Sequence, residues 1–70
     1  VTQIGQRAKS IRLARGESQE AVARRADVST ATYSRIENGH NEPNLETLRR
    51  LAGALDVSLD ELAGGPIKAA

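Results

Sequence analysis

Apolar positions recur along this chain at helical spacing in five separate blocks. Ile4, Ala8 and Ile11 stand at i, i+4 and i+7, the stripe of a helix over about Thr2 to Arg15 that Gly16 ends. Ser18 caps a short second helix reaching about Ala26, with Val22 and Ala26 facing inward and Ala23 beside them. A third block, "VSTATYSRIENG", opens on a capping serine, Ser29, and closes on the helix-stop pair Asn38-Gly39. After the loop "GHNEPN", Pro43 holds the extended position before Asn44, the cap of a fourth helix. Leu45, Leu48, Leu51, Ala52 and Leu55 give that helix the clearest apolar stripe in the chain. In "SLDEL", Ser58 and Glu61 have the spacing of a capping box, and Leu59 and Leu62 follow the helical period. Nothing alternates with period two for long enough to be a strand, and no internal repeat stands out. The expectation is an all-α bundle of five short helices over residues 1–63. Residues 64–70, "GGPIKAA", read as a flexible tail or the start of a linker.

The third block is a mediocre helix on propensity alone, rich in threonine and serine where a solvated helix would carry Glu and Lys. Its faces divide cleanly. Tyr33, Ile36 and Glu37 fall on one side and hold both large apolar residues, so that side should pack inward. Thr30, Ser34 and Asn38 follow one another on a second side, with Ala31 and Arg35 adjacent. Only "ADVS" joins the second helix to the third, which forces a sharp angle, as in the DNA-binding helix-turn-helix. Asp27 is one of the few non-glycine residue types that tolerates the left-handed conformation such a turn needs. Val28 then plugs the angle.

Composition narrows the chemistry. Seventy residues make one small domain, near the lower limit for folding without staples. There is no cysteine, and Tyr33 is the only aromatic, so the core must come from Leu, Ile, Val and Ala. With one histidine, no glycine-rich phosphate loop and no paired carboxylates on an obvious concave surface, an enzyme is not expected. His40 lacks a second ligand type at metal spacing, so a structural or phosphate-contacting role is favoured over metal binding; no metal or cofactor is expected. No apolar run approaches membrane-spanning length and no secretory signal pattern opens the chain, so the expected location is cytoplasmic, with no membrane partner. Net charge is only +1, but it is unevenly placed. Residues 1–25 carry six cations against two anions, and residues 26–70 carry four against seven. The basic half is either an electrostatic footprint on nucleic acid or a set of ordinary solvated faces.

The stretch "SQEAVARRADVSTATYSRIENGHNEPNLETLRRLAGAL" resembles the Cro/repressor, or XRE-type, helix-turn-helix family of bacteria and phages. The resemblance spans about Ile4 to Leu62 and is carried by Gln19, Val28-Ser29, "SRIENG" and "LRRLAGALDVSLDEL", in that order and spacing. It implies the compact lambda-repressor-like bundle, with helices two and three as the helix-turn-helix. It also implies sequence-specific reading of double-stranded DNA by a nucleoid-associated transcriptional regulator of repressor type, a homodimer on a palindromic operator. Helix three, about 29–38, would lie in the major groove, with Ser29, Thr30, Ala31, Ser34 and Arg35 as base readers. Arg35 is the strongest of these, because a guanidinium can hydrogen-bond guanine O6 and N7 together. Gln19 matches the family's phosphate clamp, and Asn38, His40 and Asn41 match the loop that touches the DNA backbone. Arg12 and Glu37 occupy the positions of a structural ion pair. Val57, Leu59 and Leu62 are either core or dimer contact. Arg49 and Arg50 decorate the exposed side of helix four or touch phosphate. Glu17 departs from the family's usual leucine, which removes an apolar contact, and Asp27 replaces the commoner turn glycine. The same resemblance leaves two other roles open, an antitoxin that binds a toxin protein and a restriction–modification controller.

Overall fold

The computed structural model describes residues 3–63, and the expected tail at 64–70 lies outside them. Five helices follow in order: α1 (Gln3–Ala14), α2 (Gln19–Arg25), α3 (Thr30–Glu37), α4 (Leu45–Leu55) and α5 (Leu59–Leu62). The described residues contain no strand.

Each of the last four helices starts on a side-chain cap. Ser18 accepts from Ala21 N at 3.1 Å, Ser29 from Thr32 N at 3.0 Å, and Asn44 from Thr47 N at 2.8 Å. Ser58 accepts from Glu61 N while Glu61 Oε1 accepts from Ser58 N, which completes the capping box. The first four helices also share one way of stopping. Gly16, Asp27, Gly39 and Asp56 adopt positive φ. The amide after each then donates five residues back: Glu17 to Arg12, Val28 to Ala23, His40 to Arg35 and Val57 to Ala52. Two of these turns share the tripeptide Asp-Val-Ser, at 27–29 and 56–58. In both, the aspartate takes the left-handed position, the valine packs against the core and the serine caps the next helix. A short internal repeat is therefore present after all, at the level of a turn and too brief to register as a sequence period.

Ala8, Val22, Tyr33, Ile36, Leu51, Leu55 and Leu62 lie at the centre of one core, with Ala23, Ala26, Ala52 and Ala54 around them. One expectation needs correction. Leu45 is 59% exposed, because it falls at the margin of the buried arc of α4 and in its first turn. Of the three residues read as core or dimer contact, Leu62 is core, fully buried within its own chain, while Val57 and Leu59 are only partly buried.

Gly5 sets how closely α1 approaches α3. A Cβ there would collide with the carbonyl oxygen of Ile36 and stand 2.9 Å from that of Glu37. A glycine inside a helical pattern is a known marker of such an approach. Gly53, in the middle of α4, faces open space. The same replacement should thus have opposite signs at the two sites. In chemical denaturation, Gly5→Ala is expected to lose about 1–3 kcal/mol by overpacking. Gly53→Ala should gain roughly 0.5–1 kcal/mol from helix propensity.

Candidate nucleic-acid interface

One carboxylate gathers three helices. Arg12, in the last turn of α1, donates from Nε to Glu37 Oε2 at 2.7 Å and from Nη2 to Oε1 at 3.1 Å. Gln19 Nε2, at the start of α2, donates to the same Oε1 at 2.9 Å. The remaining guanidinium nitrogen, Nη1, donates to the Glu17 carbonyl at 2.9 Å. Arg12 and Glu37 are 8% and 5% exposed, so this fork is desolvated and fixes the end of α3 in direction as well as position. Burial by itself would raise the Glu37 carboxyl. Hydrogen bonds from Arg12 and Gln19 outweigh it and hold the group below the ordinary carboxylate range. One turn earlier on α3, Tyr33 is fully buried, and its hydroxyl makes no close hydrogen bond but lies near enough to the Glu37 carboxylate to interact with it. Burial, reinforced by the Glu37 carboxylate, pushes its ionisation well above the ordinary phenol value.

The other side of α3 faces out. Thr30, Ala31, Arg35 and Asn38 are exposed and Ser34 is half-buried. Arg35 has no ion pair among the described residues, in contrast to Arg12, Arg15, Arg24, Arg25 and Arg50. Ser29 differs from its neighbours, because its hydroxyl accepts from Thr32 N and donates its single hydrogen to Thr32 Oγ1 at 2.8 Å. Its donor is committed to starting the helix. Gln19, read from the sequence as a phosphate clamp, has its amide nitrogen on Glu37, a contact that no local spacing announces. His40 is exposed and Asn41 half-buried; with Thr32, Asn44 and Thr47 they line an open concavity beside α3.

Much of the basic excess of residues 1–25 is used within the fold. Arg12 pairs with Glu37, Arg24 with Glu20, and Arg15 and Arg25 with Glu17. Arg25 also donates from Nε and Nη2 to the Ala54 carbonyl at 3.1 and 3.0 Å, closing the C-terminal end of α4. Glu17, expected to leave its corner short of an apolar contact, supplies an ionic one, and the hydrogen bond from Arg25 lowers its pKa. Among the described residues no cluster of His, Asp and Glu could hold a metal ion, and no helix is long and apolar enough to cross a membrane.

A family model described as helix-turn-helix matches residues 9–62. The chain belongs to that XRE-type helix-turn-helix family. Curated relatives in the helix-turn-helix family include the cryptic phage CTXphi transcriptional repressor RstR of Vibrio cholerae, 34% identical over 87% of this chain and 54% of its own length. The immunity repressor of Bacillus phage phi105 is 36% identical over 87% of this chain and 42% of its own. The chain thus spans about half the length of these two. Among solved structures, the restriction–modification controller protein C.AhdI from Aeromonas hydrophila superposes with a TM-score of 0.83 at 33% identity. The match covers 87% of this chain and 92% of that one, so the two share the five-helix fold.

Two measurements probe the buried fork. Arg12→Met or Glu37→Leu alone should cost on the order of 3–5 kcal/mol by stranding a buried charge, while the double replacement costs clearly less. The pair's contribution should also depend on pH. Glu37 titrates lower in the folded chain, so the stabilisation is complete above the ordinary carboxyl value of 4.5 and is lost as pH falls through the depressed one. Acid denaturation followed by circular dichroism should be shallower in the double variant than in the parent.

Proposed function

We propose that this chain is the DNA-reading domain of a transcriptional regulator, with α3 seated in the major groove. One observation carries the reading: α3 is anchored on its Tyr33–Ile36–Glu37 side and presents small polar groups and an unpaired arginine on the other. A groove flanked by phosphates would repel the glutamates that a solvated helix usually carries, and it accommodates Thr30, Ala31 and Ser34. Arg35 reads guanine by a bidentate hydrogen bond, and the methyl groups of Ala31 or Thr30 meet thymine. Ser29 reads less than its neighbours, since its hydroxyl starts the helix. Gln19, Asn38, His40 and Asn41 contact phosphates and set the register without carrying sequence information. One helix of this length offers few base contacts, so affinity requires two copies on half-sites about 34 Å apart, with Val57 and Leu59 available to the contact between them. The relatives named as repressors support regulation of transcription, and a chain with that role works in the cytoplasm. The coverage of nearly all of C.AhdI favours a second reading, a restriction–modification controller, which shares the same DNA-reading face.

Selection of bound sequences from a random DNA pool tests this reading. The parent should enrich a two-fold symmetric site. Arg35→Ala should lose the preference at one position per half-site, a discrimination of about 1–3 kcal/mol. Gln19→Ala should weaken binding to every sequence alike. An unchanged site profile for Arg35→Ala would remove Arg35 from the reading set.

A further inference from the structure

Leu45, Arg49 and Gly53 stand four residues apart along one line of α4. All three are exposed, and Leu45 and Arg49 border an open concavity together with Glu46. Just beyond Gly53 the helix ends on Asp56, which is exposed, and Val57, which is half-buried. Glycine weakens a helix interior, and Gly53 returns nothing for that within the chain, because a Cβ there would meet no atom. Gly5, the other glycine inside a described helix, is bare because a second backbone passes over it. Neither the Arg49 nor the Asp56 side chain has an ion pair or hydrogen bond among the described residues, whereas Arg50 is held by Glu46. One side of α4 thus carries a free cation near one end, a free anion at the other, and a bare backbone between them.

We propose that this side of α4 is where two copies of the chain meet, their α4 helices crossing antiparallel at Gly53. The missing side chain lets the two backbones approach, as Gly5 lets α1 approach α3. A two-fold axis through the crossing turns each helix end for end. Arg49 of one copy then meets Asp56 of the other, and the contact occurs twice. The apolar ends are exchanged in the same way, bringing Leu45 toward the Val57–Leu59 end of the second copy. A parallel crossing would set Arg49 against Arg49 and Asp56 against Asp56. Exposed ion pairs add little strength, so these charges chiefly fix the sense of the crossing. The second copy is the one that binding to two half-sites requires, and the inference rests on that reading for its partner.

Sedimentation equilibrium of the free chain, without DNA, should show a monomer–dimer equilibrium. Gly53→Gln places a side chain at the crossing and should weaken association by about tenfold or more, while helix content holds or rises. Arg49→Glu and Asp56→Lys should each weaken it about three- to tenfold alone. An equimolar mixture of the two folded variants should recover association, because both charge contacts of the mixed dimer are again between opposite signs. Asp56 holds a positive φ, so circular dichroism checks that its variant is folded; Gly53→Gln decides the matter if it is not. The chain has no cysteine, so Gly53→Cys gives one thiol per copy. Mild oxidation should join two such chains, since a disulfide bridges Cα atoms only within about 7 Å, and Lys9→Cys on α1 should not cross-link. A parent that stays monomeric at millimolar concentration, an unaltered dimer in Gly53→Gln, or a mixture no better associated than its folded components would each overturn this surface. A parent that dimerises with these variant effects yet binds no DNA gives the opposite split. The surface then stands, and the DNA-reading function falls.

Discussion

The fork between Arg12 and Glu37 is the constraint on which the remaining geometry depends. α3 has eight residues and too little intrinsic helicity to hold its shape or its rotation unaided. Apolar packing by Tyr33 and Ile36 keeps it against the bundle but is tolerant of small rotations, since hydrophobic contact has no preferred direction. A two-pronged hydrogen bond to a planar carboxylate is directional. It sets which residues of α3 point outward, and Gln19 ties the same carboxylate to the start of α2. Desolvating two charges is costly, and such a pair is weak grounds for claiming stability. Its clearer contribution here is angular. Gly5 belongs to the same arrangement, because α1 can deliver Arg12 to the end of α3 only by passing close over the Ile36 and Glu37 carbonyls.

What the sequence made legible was local. Ser18, Ser29, Asn44 and Ser58 are recognisable as caps because a cap acts within three residues, and Asp27 is recognisable because its turn leaves few alternatives. The inward side of α3 follows from the helical period. Contacts between distant residues were less accessible. Arg12 and Glu37 are 25 positions apart, and the pairing came from resemblance to a family rather than from any spacing. Gln19 on Glu37 and Arg25 on Ala54 carry no signature at all, since an arginine that closes a helix end looks in sequence like any other surface cation. Leu45 is misplaced by the pattern, and Leu62 left between core and dimer contact, for a related reason. Periodicity tells which residues share a face, not how far the covering elements extend along it.

Charge gives a similar lesson. A count over residues 1–25 suggests a basic surface, yet at least four of its six cations are paired with carboxylates, two of them with Glu17. Pairing leaves those arginines well placed to brace corners and poorly placed to attract a polyanion. Arg35, from the half of the chain with the acidic excess, is the cation left unpaired on the outward side of α3. For a domain of this size the fate of individual charges therefore says more than their sum, and a nearly neutral total is compatible with a locally specific surface.

The repeated manner of starting and stopping helices has a consequence for how such a domain changes over time. α3 is begun by Ser29, preceded by Asp27 and ended at Gly39, while Tyr33, Ile36 and Glu37 seat it. Those positions carry the helix, and the side chains of Thr30, Ala31, Ser34 and Arg35 cap neither end and add little to its packing. Side-chain changes among these four leave the caps and the buried core untouched, which decouples drift at the surface from selection on the scaffold. A lineage built on this frame can sample new outward chemistries one residue at a time without passing through an unfolded ancestor.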